Sequence, residues 1–572
     1  MAGMRGLTLT VFAVAMLLSA VPAFAQEDAL REMTDLQFVD YLRQYRDPAT
    51  LTVVPGLEGR VQNGKCGFAV ISEAAHRLET AGPAVAADIR ALLAPQARQT
   101  SILSPSGRFR IYYDTSGIDA AAMLAGDTLR IPNSAHDYAQ AVAAVFDSVY
   151  QIEVLDYGFD APPFEETLSA YNIFVMDFRG SLYGQTLFNL PLPSSGTVRP
   201  TYASHMEIDN DFLGYETRGL DGLRVTAAHE FHHMVQLGTY GLWLSDRWMH
   251  EMSSTYFEEA VYPHINDYFQ YIRAFMRNTD RAMWLWGADG YELALWPLFL
   301  EHKYDPTLIR DFWVGMRQVE PMTAMRDGIQ QRGGDMGADL CSWAQANFFT
   351  GYRAYAMTPQ AYDDAPALAR AQLHASQSLA ANEATISGTL APTGAMYMRV
   401  YRGIDTVSFV VENSNVANAI QRTATGVDFE LEVMAAGWDN SYTPLDNGWA
   451  YRFTAGEVNS LCLSVLEGGA SSEVERDIPF PNPFNPNEFS RMQFPLPRNI
   501  AANRADLFIF SPSMNLVARK EGQTIELDDN FGAFVGYDGR TDGGDLLPSG
   551  VYFYVIKYGD ESKTGKFAVV KR

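Results

Sequence analysis

The spacing of hydrophobic positions predicts a mixed strand-and-helix region in the first two thirds of the chain. Residues 108–113 alternate between polar and apolar side chains, as a half-buried strand does, and residues 171–178 form an apolar run typical of a central strand. Between them, five hydrophobic residues recur along one face of a helix: Tyr138, Val142, Val145, Phe146 and Val149. Residues 202–208 are a further candidate strand, and residues 220–355 are mostly helical in pattern. Strands followed by helices predict an α+β domain over residues 101–360.

The chain before this domain carries two further patterns. Arg5 precedes an apolar run at 7–18 and a small-x-small triplet at 23–25, so residues 1–25 are predicted to be a secretory signal peptide. The apolar run is short for a membrane span, which argues against an anchor. Residues 26–100 are rich in alanine and helical in pattern. They could be a removed propeptide or a helical layer that stays with the domain.

The pattern changes to short alternating segments after residue 376. Turn signals separate these segments, and residues 376–466 are therefore predicted to form a β-sandwich. Residues 467–477 are rich in glycine, serine and acidic side chains and are predicted to be a linker. Residues 478–572 are again rich in strand-forming residues. The predicted architecture is an α+β domain followed by two β-sandwich domains.

The composition disfavours several classes of protein. With 43 basic and 68 acidic residues among 572, the chain has a net charge of −25, which disfavours binding to nucleic acid or to an anionic membrane. Hydrophobic residues make up 47% of the chain, enough to bury sizeable cores. No stretch after the signal sequence is apolar enough to span a bilayer. We therefore expect a mature protein without a transmembrane segment, secreted or attached to the cell surface.

Three cysteines allow at most one intramolecular disulfide in an exported protein. A bridge between Cys66 and Cys341 would tie the N-terminal region to the end of the helical region. The alternative is that Cys66, Cys341 and Cys462 are buried thiols. Their spacing does not predict a cysteine metal cluster.

The sequence His229-Glu230-Phe231-His232-His233 is an H-E-x-x-H motif within a helical pattern. Positions four apart lie on one face of a helix, so His229 and His233 can bind one Zn²⁺. Glu230 lies to one side, where it can reach a metal-bound water rather than the metal. The motif predicts zinc-dependent hydrolysis, and the alternative is a helix that carries surface histidines.

A catalytic zinc site usually has a third protein ligand. The longer motif with a third histidine is excluded, because Thr239 stands at that position. Glu251 lies in the next helical segment, and the small residues Ser254 and Thr255 would let the two helices approach closely. Glu251 is therefore the predicted third ligand. The sequence also offers three rivals for this role: His250, Asp246 and Glu258.

An H-E-x-x-H motif followed by a glutamate in a W-x-x-E segment, here Trp248 to Glu251, resembles the gluzincin zinc metallopeptidases. Within that group, the chain is similar over residues 105–350 to a family of secreted bacterial metalloproteases. The resemblance implies a zincin-like catalytic domain, in which a mixed sheet packs on the active-site helices. The residues that it assigns are three zinc ligands and a general base: His229, His233, Glu251 and Glu230.

The resemblance extends in part to Tyr291. In gluzincin aminopeptidases a tyrosine in a comparable Y-E-x-G segment steadies the oxyanion, but Ala294 stands where that pattern has glycine. Tyr291 is thus either a catalytic residue or a core aromatic. The G-x-M-E-N exopeptidase signature is absent, with only Met206-Glu207 faintly similar, so we expect an endopeptidase that acts on protein or peptide substrates. The strand at 202–208 could align an extended peptide by edge pairing.

The last domain opens with P-N-P-F-N-P at 481–486 and closes with S-G-V-Y-F-Y at 549–554 and a basic strand. This order of motifs resembles the C-terminal sorting domains of the type IX secretion system. The resemblance implies that residues 478–572 engage the type IX secretion machinery. The alternative is an ordinary immunoglobulin-like appendage.

Two functions are open on the sequence alone. One is a secreted zinc endopeptidase with Glu230 as general base. The other is a surface adhesin or binding protein built on a catalytically dead peptidase fold. The intact His229, Glu230 and His233 favour the enzyme, because a dead relative would be free to lose Glu230.

Overall fold

The computed structural model divides the chain into two compact units. The residues that it describes are 29–46, 65–164, 169–193, 196–356, 361–379, 382–402, 405–423, 425–445, 448–456, 460–470, 479, 484–486, 491–496, 504–512, 514–528, 532–559 and 561–571. The first unit comprises the described residues up to Asp339, with Phe349–Arg370 and Val416–Arg422. The second comprises Leu340–Phe348, Ala371–Asn415 and the described residues from Thr423 onwards. The predicted signal peptide at 1–25 lies outside the described residues.

The first unit is built on a five-stranded mixed sheet. Its strands are β1 (Thr100–Leu103), β2 (Phe109–Tyr113), β5 (Tyr171–Met176), β6 (Gly184–Pro191) and β7 (Tyr202–Asp209), and a separate hairpin consists of β3 (Leu124–Ala125) and β4 (Leu129–Arg130). The order across the sheet is β1-β2-β5-β7-β6, with the three central strands parallel and both edge strands antiparallel to their neighbours. The expectation that residues 202–208 offer a free edge is wrong, because β6 pairs along that side of β7.

The first unit also contains α-helices. They are α1 (Asp35–Arg46), α2 (Phe68–Thr80), α3 (Pro83–Leu92), α4 (Ala135–Tyr150), α5 (Gly219–Val235), α6 (Arg247–Val261), α7 (Phe269–Phe275), α8 (Leu295–Lys303), α9 (Thr307–Met316), α10 (Pro321–Gln331) and α12 (Val416–Gln421). The predicted amphipathic helix is α4, and its hydrophobic face is buried. α5 packs against α4, α6, β6 and β7, so the H-E-x-x-H helix lies against the sheet.

The N-terminal helices belong to the first unit. Phe68 and Ile71 of α2 share one hydrophobic cluster with Leu187 and Phe188 of β6. Arg46, at the end of α1, makes a buried two-pronged ion pair with Glu207 of β7, with contacts of 2.5 and 2.7 Å. The described part of residues 26–100 is therefore packed on the edge of the sheet that lies beside α5.

The second unit is dominated by strands. The first group is β8 (Leu373–Ser378), β9 (Glu383–Leu390), β10 (Ala395–Arg402), β11 (Asp405–Asn413), β12 (Val427–Met434), β13 (Thr443–Pro444), β14 (Ala450–Ala455) and β15 (Leu461–Ala470). These strands form two four-stranded sheets, β15-β11-β10-β8 and β13-β14-β12-β9, which share one apolar cluster. The helix α11 (Met336–Phe348) leads into this unit.

The second group of strands forms the C-terminal part of the chain. They are β16 (Met492–Leu496), β17 (Arg504–Phe510), β18 (Leu516–Thr524), β19 (Glu526–Asp528), β20 (Gly532–Tyr537), β21 (Gly550–Tyr558) and β22 (Glu561–Val569). They form a three-stranded sheet, β16-β20-β19, and a four-stranded sheet, β18-β17-β21-β22, around a common core. The predicted succession of α+β and β-sandwich-like regions is confirmed at this level.

Three predicted boundaries differ from the structure. Residues 340–348 group with the second unit and not with the α+β region. The first strand of the second unit starts at Leu373 rather than at 376. Pairing with β10 defines β8, whose own residues show no hydrophobic alternation. β15 continues to Ala470, inside the predicted linker, because the backbone of β11 pairs with Gly468 and Gly469 despite their weak strand propensity. The rest of that linker lies outside the described residues.

The disulfide joins Cys341 to Cys462, both in the second unit, with their Cα atoms 6.3 Å apart. The considered Cys66–Cys341 bridge is therefore wrong. Cys66 is a free, buried thiol of the first unit. Within the described part of the chain, no helix is long and apolar enough to cross a membrane.

Candidate metal centre

The H-E-x-x-H motif lies in the buried half of α5. From Val225 to Val235 every residue of this helix is buried, so its histidines do not reach the surface. α6 packs against α5 and presents a run of small residues, Ser253, Ser254 and Thr255, all of them fully buried. The predicted close approach of the two helices is found, and it brings Glu251 to the motif.

Four side chains converge at this contact. One ligand atom each of Cys66, His229, His233 and Glu251 lies within 4.8 Å of the other three. Oε2 of Glu251 is 3.1 Å from Nε2 of His229 and 3.4 Å from Nε2 of His233. Two imidazoles, a carboxylate and a thiol are the donors that Zn²⁺ takes in proteins.

Two atoms of the group lack a hydrogen bond within the described part of the chain. They are Nε2 of His233 and Oε1 of Glu251, and both are buried. Burying an unpaired polar atom costs free energy, and such atoms are uncommon in folded proteins. A cation at the centre of the group would satisfy both atoms, so the residues fit a metal ion.

The far side of each imidazole is fixed by a hydrogen bond. Nδ1 of His229 lies 2.7 Å from Oε1 of Glu258, and Nδ1 of His233 lies 3.0 Å from Oε1 of Gln236. These contacts favour the tautomers whose Nε2 atoms are free to bind a metal. Glu258, one of the rival ligands, is thus a positioning partner. Lys65 in turn pairs with Glu258 and with Asp267.

The other two rivals lie outside the group of four. His250 makes a 2.8 Å contact with Gln236 and accepts from the backbone N–H of Trp243. Asp246 accepts from the indole of Trp248 and pairs with Arg422. Of the four candidates for the third ligand, Glu251 alone belongs to the converging group.

The electrostatics of the group favour positive charge at its centre. Burial lowers the pKa of His229, but hydrogen bonds to Glu251 and Glu258 outweigh burial and raise that pKa to about 9. Burial raises the pKa of Glu251, but His233 and His229 outweigh it and lower that pKa to about 2. A metal ion among these side chains would supply positive charge at the same place.

Glu230 lies beside the group of four without belonging to it. Its Oε2 accepts a 2.8 Å hydrogen bond from the hydroxyl of Thr186 on β6. Gly184 allows this approach of strand and helix, because a Cβ there would lie 2.7 Å from Thr226 and 3.2 Å from Cγ of Glu230. The carboxylate of Glu230 is therefore held against the edge strand β6, next to the helix that carries His229 and His233.

Tyr291 also lies at the centre. Its ring stacks on the imidazole of His229 with ring centroids 5.6 Å apart, and on Tyr271 at 5.2 Å. Burial, then the negative charges of Glu251 and Cys66, raise the pKa of its hydroxyl well above its usual value. The side chain is half-buried and packs against the hydrophobic cluster that contains Cys66.

Three residues of the centre were not predicted from the sequence: Cys66, Lys65 and Thr186. No local motif marks them, since each precedes α5 in the chain by many residues and reaches the site through the fold of the sheet edge. For Cys66 the sequence predicts only a disulfide partner or a buried thiol. The odd number of cysteines is the one signal of a free thiol in the sequence.

Comparison with known proteins adds little. No protein-family model and no curated protein matches the chain. A solved structure with detectable similarity is PorZ, described as an essential bacterial surface component of the type-IX secretion system of Porphyromonas gingivalis. The identity is 15%, the match covers 29% of each chain, and the TM-score is 0.13. A similarity this low carries no argument about fold or function.

Proposed function

We propose that the chain is a secreted zinc-dependent endopeptidase with a zincin-like catalytic domain. The observation that carries the proposal is the convergence of His229, His233 and Glu251 on one point. Two of these side chains each have a buried atom that makes no hydrogen bond among the described residues. Glu230 stands next to that point and is held by Thr186. A helix-borne motif beneath a mixed sheet with an antiparallel edge strand supports the zincin-like assignment.

The residues divide the work of peptide hydrolysis. His229, His233 and Glu251 would hold Zn²⁺, which lowers the pKa of a water ligand to about 7 and polarises a carbonyl. Glu230 accepts a proton from the attacking water and delivers it to the leaving amine. The hydroxyl of Tyr291 donates to the developing oxyanion.

The sheet edge supports action within a peptide chain rather than at its end. β6 is the edge strand beside Glu230, and its backbone can align an extended peptide. Glu207 belongs to Met206-Glu207, the pair that is faintly similar to the exopeptidase signature. It is buried and bound by Arg46 and Gln185. It is therefore not free to bind the amino terminus of a substrate.

Export is part of the proposal. The predicted signal peptide would carry the chain out of the cytoplasm, and residues 478–572 would engage the type IX secretion machinery. The described part of this last region is a β-sandwich-like fold with its own core, which supports a separate role for it.

The test combines metal content with hydrolysis. Purified protein should contain zinc, and casein cleavage should be lost on chelation and return when zinc is added back. His229→Ala should lose the zinc, whereas His264→Ala, a histidine outside the group of four, should keep it. Protein without bound zinc, and with equal binding of casein by the wild type and Glu230→Gln, would favour the adhesin.

A further inference from the structure

Cys66 places its thiol among the metal ligands. Its Sγ is the fourth donor of the group formed by His229, His233 and Glu251, and its side chain is buried. Cys341 and Cys462 are joined to each other, so Cys66 is the free cysteine of this three-cysteine chain. The unpartnered atoms of His233 and Glu251 belong to the same group. A metal ion that satisfied them would lie within reach of the thiol.

The segment that carries Cys66 is fastened to the site on both sides. Before it, Lys65 makes buried ion pairs with Glu258 and Asp267. After it, Phe68 stacks on the ring of His233, with ring centroids 4.4 Å apart and planes within 4°. Two contacts therefore hold the thiol in place. Lys65 pairs with Glu258, the partner of His229, and Phe68 stacks on His233.

The same segment covers the edge of the sheet. Cys66 forms a parallel bridge with Gly184 at the start of β6, and the backbone N–H of Tyr183 donates to the carbonyl of Lys65 at 3.0 Å. Gly67 fits closely, because a Cβ there would lie 2.6 Å from Oε1 of Gln185. A peptide that paired with this part of β6 would have to displace the segment.

We propose that Cys66 is a fourth protein ligand of the metal and that it keeps the enzyme inactive in this conformation. This inference rests on the proposed zinc site. Four protein donors complete the tetrahedral shell that Zn²⁺ prefers, whereas a catalytic zinc needs one open position. The thiol binds as a thiolate, so its proton is released to solvent when the metal is bound. Withdrawal of residues 65–67 would open the metal and the sheet edge together.

The chemistry distinguishes this role from packing. A buried cysteine that only fills space can become alanine with a small loss of stability and no effect on the metal. A ligand cannot, because its removal changes the coordination of the ion. Val70 provides a matched control, because it is buried in the same hydrophobic cluster but does not belong to the group of four.

The experiment uses purified full-length protein reloaded with Co²⁺ or Zn²⁺. Wild type and Val70→Ala should show the near-ultraviolet absorption of a thiolate–cobalt bond, and Cys66→Ala should lack it while still binding cobalt. In the wild-type zinc protein the thiol should resist a thiol reagent until a chelator is added. Casein hydrolysis by Cys66→Ala should be at least about tenfold faster than by wild type. Closure would leave at most about a tenth of the wild-type molecules able to hydrolyse casein, and the substitution removes that closure. Adding Glu230→Gln should abolish the gain.

The outcomes separate the two proposals. Cobalt bound by wild type without the thiolate absorption would overturn the cysteine ligand and leave the zinc site standing. The absorption without any gain of hydrolysis in Cys66→Ala would overturn latency. No metal in wild type or in Cys66→Ala would overturn the zinc site itself. The thiol protection is measured on wild-type protein, so it remains decisive even if Cys66→Ala folds poorly.

Discussion

The contact between α5 and α6 and the core of the C-terminal β-sandwich-like region are both fully buried, but different chemistry fills them. The helix contact holds the imidazoles of His229 and His233 and the carboxylates of Glu251 and Glu258. The core within 484–571 is made of aliphatic and aromatic side chains. Burial of apolar surface stabilises a fold, whereas burial of ionisable groups costs free energy unless they are paired. The sandwich core therefore stabilises its fold, whereas the ionisable groups of the helix contact need a compensating role, and the proposed metal site supplies one.

The largest expected effect is on the sandwich core. Phe494 is fully buried among Tyr537, Tyr554 and Phe567. Phe494→Ala should lower the free energy of unfolding by about 3–5 kcal/mol, because it leaves a cavity. Bound zinc should not change. Denaturant unfolding and metal analysis measure the two, with the more exposed Phe553→Ala as the control. Loss of zinc in Phe494→Ala protein that remains folded would show that zinc binding depends on the sandwich core.

The second prediction concerns Tyr291, which could belong to either kind of region. In the Cys66→Ala protein, Tyr291→Phe should lower kcat by roughly 10²-fold with little change in zinc or stability, as for one lost oxyanion donor. Steady-state hydrolysis and thermal melting are the measurements. An unchanged kcat with a lower melting temperature would show that Tyr291 is a core aromatic and not a catalytic residue.

The third prediction concerns the partner of a ligand. Glu258→Gln removes the charge that orients His229, so zinc affinity should fall by about 10- to 100-fold. Glu259→Gln, at the next position of α6, is the matched control, since it removes the same charge but leaves the contact between Glu258 and Nδ1 of His229 in place. Competition with a zinc chelator gives both affinities. Equal affinities for the two variants would mean that Glu258 serves only to pair with Lys65.

The smallest expected effect on catalysis comes from the largest deletion. Removal of residues 478–572 should leave zinc content and the casein hydrolysis of the Cys66→Ala protein unchanged, because the residues of the metal centre all lie in the first unit. In the native cell, the truncated chain should be trapped in the periplasm. Fractionation of cells and medium measures this. Normal amounts of truncated protein outside the cell would remove the sorting role.

The sequence predicts the sandwich regions well, because several of their strands show the buried face as an alternation of apolar residues within a short segment. Tyr552, Tyr554 and Ile556 alternate along β21, and the same alternation appears as buried positions in the structure. The motif histidines are local too, since two positions four apart on a helix face one point. Glu251 could be predicted from its place in the next helix.

Other parts of the site depend on contacts distant in the chain. Cys66 and Thr186 reach α5 only because β6 forms the edge beside β7, and that order is not written in any short motif. The sequence likewise suggested a free edge at 202–208 that β6 in fact covers. The Cys341–Cys462 bridge was missed for the same reason, because composition gives the number of thiols but not their distance.

The proposed function gives the buried carboxylates of α5 and α6 separate roles, Glu230 as base and Glu251 as ligand. The most direct measurement is bound zinc, by elemental mass spectrometry, in Glu230→Gln and Glu251→Ala proteins. Glu230→Gln should keep the wild-type amount of zinc while losing hydrolysis, because the amide cannot accept a proton. Glu251→Ala should lose zinc and hydrolysis together. Full zinc in Glu251→Ala, with loss of zinc in His250→Ala instead, would show that Glu251 is not a ligand.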